Sequence, residues 1–271
     1  NRLPRMRMRA GRRFSSRSSI QRMFRLYTLG ELRLETQDGQ PVSQRRMPLI
    51  LLAYLARRVP RAVPRPELVA LLWGERPEAK ARQSLRQALL ELHRVLGDQL
   101  VLTRDAVRLL PGAVALDLAE FERDVDAGRN RGAIDRWSND FLAGADDRAD
   151  PALRSWVESE RAGLRRRLAL ACERLLDDAE RRGANREAIA VGRRWTELAP
   201  LDEHACGRLI QALRRDGRSA EALACHGRFV VRLAEELELE PSRDFLRIGR
   251  SLADSAQLDR VRDPDSGLLP A

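Results

Sequence analysis

Between Pro77 and Gly97 the sequence sets Lys80, Arg82, Gln83, Arg86, Gln87 and Arg94 at helical spacing. A guanidinium is a planar fork of N–H donors that matches the two acceptors on the major-groove edge of guanine. A primary amide carries one donor and one acceptor and matches adenine. The chemistry open to these side chains is recognition by hydrogen bonding, not bond making. At about 100° per residue, Ala81, Leu85, Ala88, Leu89, Leu92 and Leu96 form one apolar stripe. Lys80, Gln83, Gln87 and Arg94 fall opposite it, with Arg82 and Arg86 on the flank. A solvated Arg/Gln face is the common alternative in a chain this rich in arginine. The neighbouring residues favour recognition. QLVLTRDAVRLLPG follows as a β-hairpin, with Arg104 in its polar turn and Arg108 in its second strand, and a short helix ending in Leu-Trp-Gly precedes. A helix beside a hairpin wing is the arrangement of a winged-helix reader of DNA. Leu90 also points outward; a thymine methyl group, a protein partner or plain solvent could face it.

Other constellations invite enzymatic or metal readings and fail on spacing. His204, Cys206, Cys225 and His226 supply four nitrogen and sulfur donors, but their spacing fits no common zinc module. On a helix His204 and Cys206 point about 200° apart, so the expectation is buried cysteines and surface histidines. Asp140, Asp146, Asp147 and Asp150 read as a polar linker rather than a cation site. Lys80 is the only lysine and lies in no phosphate-binding loop. The nucleophile-elbow, zinc-protease and dinucleotide motifs are absent from the sequence. The expectation is no enzyme, no cofactor and no metal. Three cysteines (Cys172, Cys206, Cys225), widely spaced and odd in number, make no disulfide framework and suit a reducing cytosol.

Several elements must position the arginine-bearing helix. FRLYTLG alternates apolar and polar residues from Phe24, ELRLE resumes after Gly30, and PVSQ follows a turn at Gln37-Asp38-Gly39. These predict an antiparallel meander of three short strands. MPLILLAYLARR predicts a buried helix, and RPELVALLWG a short one stopped at Gly74. Strands, three helices and a hairpin make a compact α+β unit. ALDLAEFERDVDAG then predicts a helix capped by Asp117 and stopped by Gly128. From Asp150 to about Ala253 nearly everything reads as helix.

The later helices repeat. A shift of 34 residues superposes GANREAIAVGRRW on GRSAEALACHGRF, aligning Gly183 with Gly217, Ala188 with Ala222, Arg194 with Arg228 and Trp195 with Phe229. A 34-residue period with small residues and a late aromatic is the tetratricopeptide pattern. Such arrays make protein contacts. DPALRSWVESERAGLRRRLALACERLLDDAERR, read as one long amphipathic helix or two, closes the array.

Charge divides the chain of 271 residues and net +10 in the same way. Residues 1–23 hold eight arginines and no acid; residues 24–112 hold 15 basic and 9 acidic groups, net +6; residues 113–271 hold 27 and 31, net −4. A polyanion suits the front of the chain only. The leader lacks the apolar run of a secretory signal. It reads as a disordered or upstream extension preceding a start at Met23, with a phosphate-binding arm as the alternative. No run of 18 apolar residues occurs, so no membrane partner is expected. The predicted organisation is leader 1–23, winged helix 24–112, helical array 113–255 and disordered tail 256–271. The fold class is mainly α, an α+β winged helix followed by an all-α tetratricopeptide-like domain. By charge and period, residues 24–112 alone should bind DNA without activating transcription.

Taken together, FRLYTLGELRLE, ELVALLWGERPEAKARQSLRQALLELHRVLGD, SWVESERAGLRRRL and GRSAEALACHGRFVVRLAEELELEPSRDFLRI resemble the Streptomyces antibiotic regulatory protein type of activator. The likeness covers about residues 24–255. It departs at His93, where that family more often has arginine. The resemblance implies an OmpR-type winged helix joined to a bacterial transcriptional activator domain. It further implies double-stranded DNA and RNA polymerase as partners, direct repeats in promoters of biosynthetic operons, a homodimer on those repeats and a cytoplasmic setting. The competing reading is a tetratricopeptide adaptor whose winged fold no longer reads DNA. RNA is disfavoured, since no strand carries the aromatic pairs that stack single-stranded bases.

Overall fold

The computed structural model describes residues 24–42, 44–145 and 149–262, with side chains to residue 254. The expectations for the leader, Asp146, Asp147 and the last residues from 263 lie outside the described residues. The meander forms: β1 (Phe24–Tyr27), β2 (Arg33–Thr36) and β3 (Pro41–Val42) pair antiparallel, with Leu26 opposite Leu34 and Leu34 opposite Val42. Period-two alternation turns Phe24, Leu26 and Leu34 into the core. Helix α1 (Arg46–Arg58) buries the run Pro48–Leu55. Helix α2 (Arg65–Trp73) begins with Pro66 in its first turn, where a missing N–H costs nothing. Helix α3 (Glu78–Leu96) follows after a short turn and packs on α1 and α2.

Two strands are too short to show a period in the sequence. β4 (Val63–Pro64) pairs with β6 (Ala106–Leu109), which also pairs with β5 (Leu100–Leu102). β7 (Val114–Leu116) lies parallel to β1, with Phe24 opposite Val114 and Leu26 opposite Leu116. The front sheet therefore runs β3-β2-β1-β7. A cut at residue 112 would strip β1 of this edge partner.

The next residue tightens the same junction. Asp117 is the first residue of helix α4 (Asp117–Asp126) rather than the residue before it, and its carboxylate accepts from Leu118 N of that first turn at 2.7 Å. It is buried and accepts from Thr28 N (2.8 Å), Thr28 Oγ1 (2.7 Å) and Leu29 N (2.9 Å). These donors sit at the frayed end of β1 and have no strand partner, so the carboxylate is drawn to them. After α5 (Asn130–Arg136), the loop around Phe141 continues the seam. Leu142 N donates to Thr28 O at 2.8 Å, and Leu29 bridges to Phe141.

The rest is helical: α6 (Pro151–Arg181), α7 (Asn185–Leu198), α8 (Glu203–Arg215), α9 (Ser219–Leu237) and α10 (Arg243–Arg262). The long segment after Asp150 is thus one helix. Helix α10 also takes in residues 256–262, where a disordered tail was expected. The helix packs on α9 through Phe245 and Leu252 and so covers the last repeat.

The 34-residue repeat is structural. Gly183 and Gly217 both sit at positive φ (66° and 75°), the left-handed region open to glycine. The same bond follows each: Ala184 N to Ala179 O at 2.8 Å, Arg218 N to Leu213 O at 2.9 Å. Ala188, Ala222, Trp195 and Phe229 are all buried. At Gly192 the helices α7 and α8 approach so closely that a Cβ would lie 3.1 Å from Leu209 Cα. The corresponding place in the next repeat is His226, and there the small residue is supplied by the facing helix, at Gly249. His226 is therefore buried, not a surface histidine as expected. It stacks on Phe245 with centroids 4.6 Å apart and bonds to the Phe245 carbonyl at 3.0 Å.

Candidate nucleic-acid interface

Helix α3 owes its orientation to its apolar stripe. Ala81, Leu85, Ala88, Leu89, Leu92 and Leu96 are buried, as the wheel requires. The opposite arc is left to solvent: Lys80, Arg82, Gln83, Arg86, Gln87 and Arg94 are all exposed. From Lys80 to Arg94 this arc extends about 21 Å along the axis. Leu90 stands among them, 49% exposed. At the end of the arc His93 is half-buried, and its Nδ1 has no hydrogen-bond partner among the described residues.

The hairpin beside the helix is braced. Alternation along β6 buries Val107 and Leu109 and leaves Arg108 outward, opposite Val101 in the register. At the turn, Thr103 Oγ1 accepts from Ala106 N and Thr103 N donates to Ala106 O, each at 3.0 Å. Arg65 fixes the turn to the start of α2. Its backbone N–H donates to Asp105 O at 2.9 Å and its Nε to Thr103 O at 3.0 Å. The wing tip is therefore held against the helix pair rather than projecting freely.

Between α2, α3 and this tip lies an open groove of about 660 Å³. Arg82, Arg86 and Arg104 reach it from three of the predicted positions, over a floor that includes Val69, Trp73 and Leu85. Lys80, Gln83, Gln87 and Arg94 lie on the same helix outside the groove, and Arg108 lies outside it on the hairpin. Two further arginines line the groove that the sequence did not single out, Arg65 and Arg76. The available signal was positional. One opens the first helix of a helix–turn–helix pair and the other sits in the turn, where such a motif meets a phosphate backbone.

Electrostatics keep these cations available. Lys80, Arg86, Arg94, Arg104 and Arg108 have no ion-pair partner among the described residues. Arg82 pairs with Glu78 one turn back, both side chains well exposed (67% and 73%). An exposed pair of that kind is worth a few tenths of a kcal/mol, about 0.3–0.5, and yields readily to a stronger anion.

The two units share one core. Tyr54 of α1 meets Trp156 of α6 edge-on at 4.9 Å, and Phe141 meets the same indole at 5.5 Å. Arg57 joins Glu122 (2.7 Å) to Glu160 (2.8 Å), and its guanidinium is held charged against burial by those two carboxylates. Buried Arg161 donates to the carbonyls of Phe141 (2.9 Å) and Leu142 (3.0 Å).

The molecule is a small winged α+β unit seated on a tandem helical array. Known proteins share these parts. The profile of the bacterial transcriptional activator domain family matches residues 116–252. The chain belongs to that family, and its relatives are regulators of the Streptomyces antibiotic regulatory protein type. It is 30% identical over 208 residues to the regulatory protein AfsR of Streptomyces coelicolor, covering 70% of this chain and 20% of that protein. It is 27% identical over 223 residues to the regulatory protein DnrI of Streptomyces peucetius, covering 73% and 80%. The chain thus spans about a fifth of the AfsR length and most of DnrI. Among solved structures, Mycobacterium tuberculosis EmbR in complex with a low-affinity phosphopeptide shares the fold. Its TM-score is 0.59 at 23% identity, over 86% of this chain and 65% of that one. No described helix is long and apolar enough to cross a membrane.

Proposed function

We propose that this chain binds double-stranded DNA sequence-specifically through α3 and its wing, and activates transcription by presenting the helical array to RNA polymerase. The observation that carries the reading is the solvent-facing arc of arginine and glutamine on α3, backed by a buried apolar stripe and flanked by a braced hairpin. In this reading Arg86 and Gln87 contact base edges and Arg82, Gln83 and Arg94 extend the contact along the groove. Lys80, Arg104 and Arg108 meet phosphates. Arg65 and Arg76 join the phosphate contacts from the start of α2 and the turn. The array carries a net negative charge and makes a poor DNA surface, which suits it to protein contact. Target sites arranged as direct repeats would seat two copies head to tail in the bacterial cytoplasm, because direct repeats lack a two-fold axis.

The test is a pair of titrations with the full chain, on duplex fragments from promoters and on random duplex, across a salt series. Specific binding should exceed random binding, and affinity should fall linearly in the logarithm of salt. Equal, salt-insensitive binding to both would instead favour the adaptor reading. Purified polymerase and a promoter template then ask whether the chain raises transcript yield.

A further inference from the structure

Two thiols in the array face each other across consecutive helices. Cys206 lies on α8 and Cys225 on α9, with their sulfurs 3.6 Å apart. A disulfide needs about 2.05 Å between sulfurs, so only a small rotation or helix shift separates the pair from bonding. Both cysteines line an open groove of about 640 Å³ in the array, with Arg193 and Arg228 beside them. Cys225 is the more accessible, 8% exposed against 2% for Cys206. The two sulfurs are within hydrogen-bond reach of each other; that contact, with positive charge from Arg228 and Arg193, shifts the Cys225 thiol down, and the same contact with burial shifts the Cys206 thiol up. The third cysteine, Cys172 on α6, stands apart and buried. Burial pushes its thiol up to about 12.

We propose that Cys206 and Cys225 form a redox modification site, closed to an intramolecular disulfide by hydrogen peroxide. Cys225 is the attacking sulfur: its thiolate takes one peroxide oxygen, the O–O bond breaks, and the departing hydroxide gains a proton to become water. Cys225 is then a sulfenic acid. Cys206 sulfur attacks Cys225 sulfur, the S–O bond breaks, and the hydroxide leaves as a second water with the Cys206 proton. Two thiols lose two electrons and one peroxide becomes two waters. The bond ties α8 to α9 at the wall of the groove. In a reducing cell such a bond is transient, and that is the regime in which cytosolic disulfides act as sensors.

The experiment uses the full chain, reduced, then exposed to a small excess of hydrogen peroxide. Free thiols counted after denaturation should fall from three to one, the intact mass should drop by two hydrogens, and peptide mapping should join Cys206 to Cys225. Dithiothreitol should restore all three. Cys172→Ser should close the same bond. Cys206→Ser should not, and should instead leave a sulfenic acid on Cys225 that a dimedone reagent labels. Three thiols surviving peroxide in the folded wild-type chain would overturn the proposal, as would a bond that uses Cys172 or links two chains. The wild-type count decides even if a variant fails to fold.

Discussion

Arginine is abundant in both regions of the molecule, and the two regions treat it differently. On α3 and the hairpin, Lys80, Arg86, Arg94, Arg104 and Arg108 face solvent without an acidic partner among the described residues. In the array many arginines are tied down. Asp124 is gripped by Arg129 (2.7 Å) and Arg136 (2.8 Å). Arg208 faces Glu173, Asp177 (2.9 Å) and Glu180 (3.5 Å). Arg182 spans Asp178 (3.0 Å) and Glu187 (2.8 Å). These ties join neighbouring helices or successive turns. Residue count therefore says little about an interface; the supply of carboxylates around each guanidinium says more. A cation already neutralised by a carboxylate gains less from a phosphate than a free one does.

The comparison breaks first at the seam. If the two regions are one folded body, removing the Asp117 carboxylate should be the most damaging single change. Asp117→Ala leaves three backbone N–H groups (Thr28, Leu29 and Leu118) and the Thr28 hydroxyl without that acceptor. The expected loss of stability is about 3 kcal/mol or more, read as a shift in the urea midpoint. A loss under about 1 kcal/mol would show that the regions fold separately. The same seam changes an expectation from sequence. A fragment of residues 24–112 lacks β7 and Asp117, so it should be less stable than a fragment of 24–145 and is a poor test of DNA binding.

The next cut is at the free cations. Arg86→Ala should cost about 1–3 kcal/mol on a specific site and relax one base position. If random duplex loses as much, Arg86 touches phosphate only. Arg104→Ala and Arg108→Ala should each lower the slope of log affinity against log salt by about one unit. Arg208→Ala in the array should destabilise the fold yet leave that slope unchanged. A changed slope would erase the distinction between free and tied arginines.

The smallest effect concerns acid. The hydrogen bond from Arg136, helped by Arg129, holds the Asp124 carboxyl below the usual carboxylate range. A depressed folded-state value means the contribution is fully present above the unfolded value, about 3.9, and lost as pH falls through the folded one. The stability gap between wild type and Asp124→Asn should therefore hold at neutral pH and shrink in acid below that point. A gap that widens in acid would reverse the assignment.

Long periodic elements are legible in the residues alone. The α3 stripe, the meander, the hairpin and the 34-residue repeat each span enough residues for their period to show. Strands of two or three residues, β4 and β7, do not. The candidate site is legible on α3 and on the hairpin because exposure there follows from period alone. Arg65 and Arg76 are not, because they join the groove only when α2 and the hairpin turn are brought together. His226 reads as polar and therefore outward, until Gly249 from a helix further on makes room for its ring.

The sequence by itself determined which faces are apolar, where the chain turns and how charge is divided, since these depend on neighbours within a few residues. Only the tertiary structure decided that β7 and Asp117 sew the array to the winged unit, and which arginines keep their charge free. It also decided that two of the three thiols meet. Each of these depends on groups far apart in the chain, and such contacts leave no local period to read.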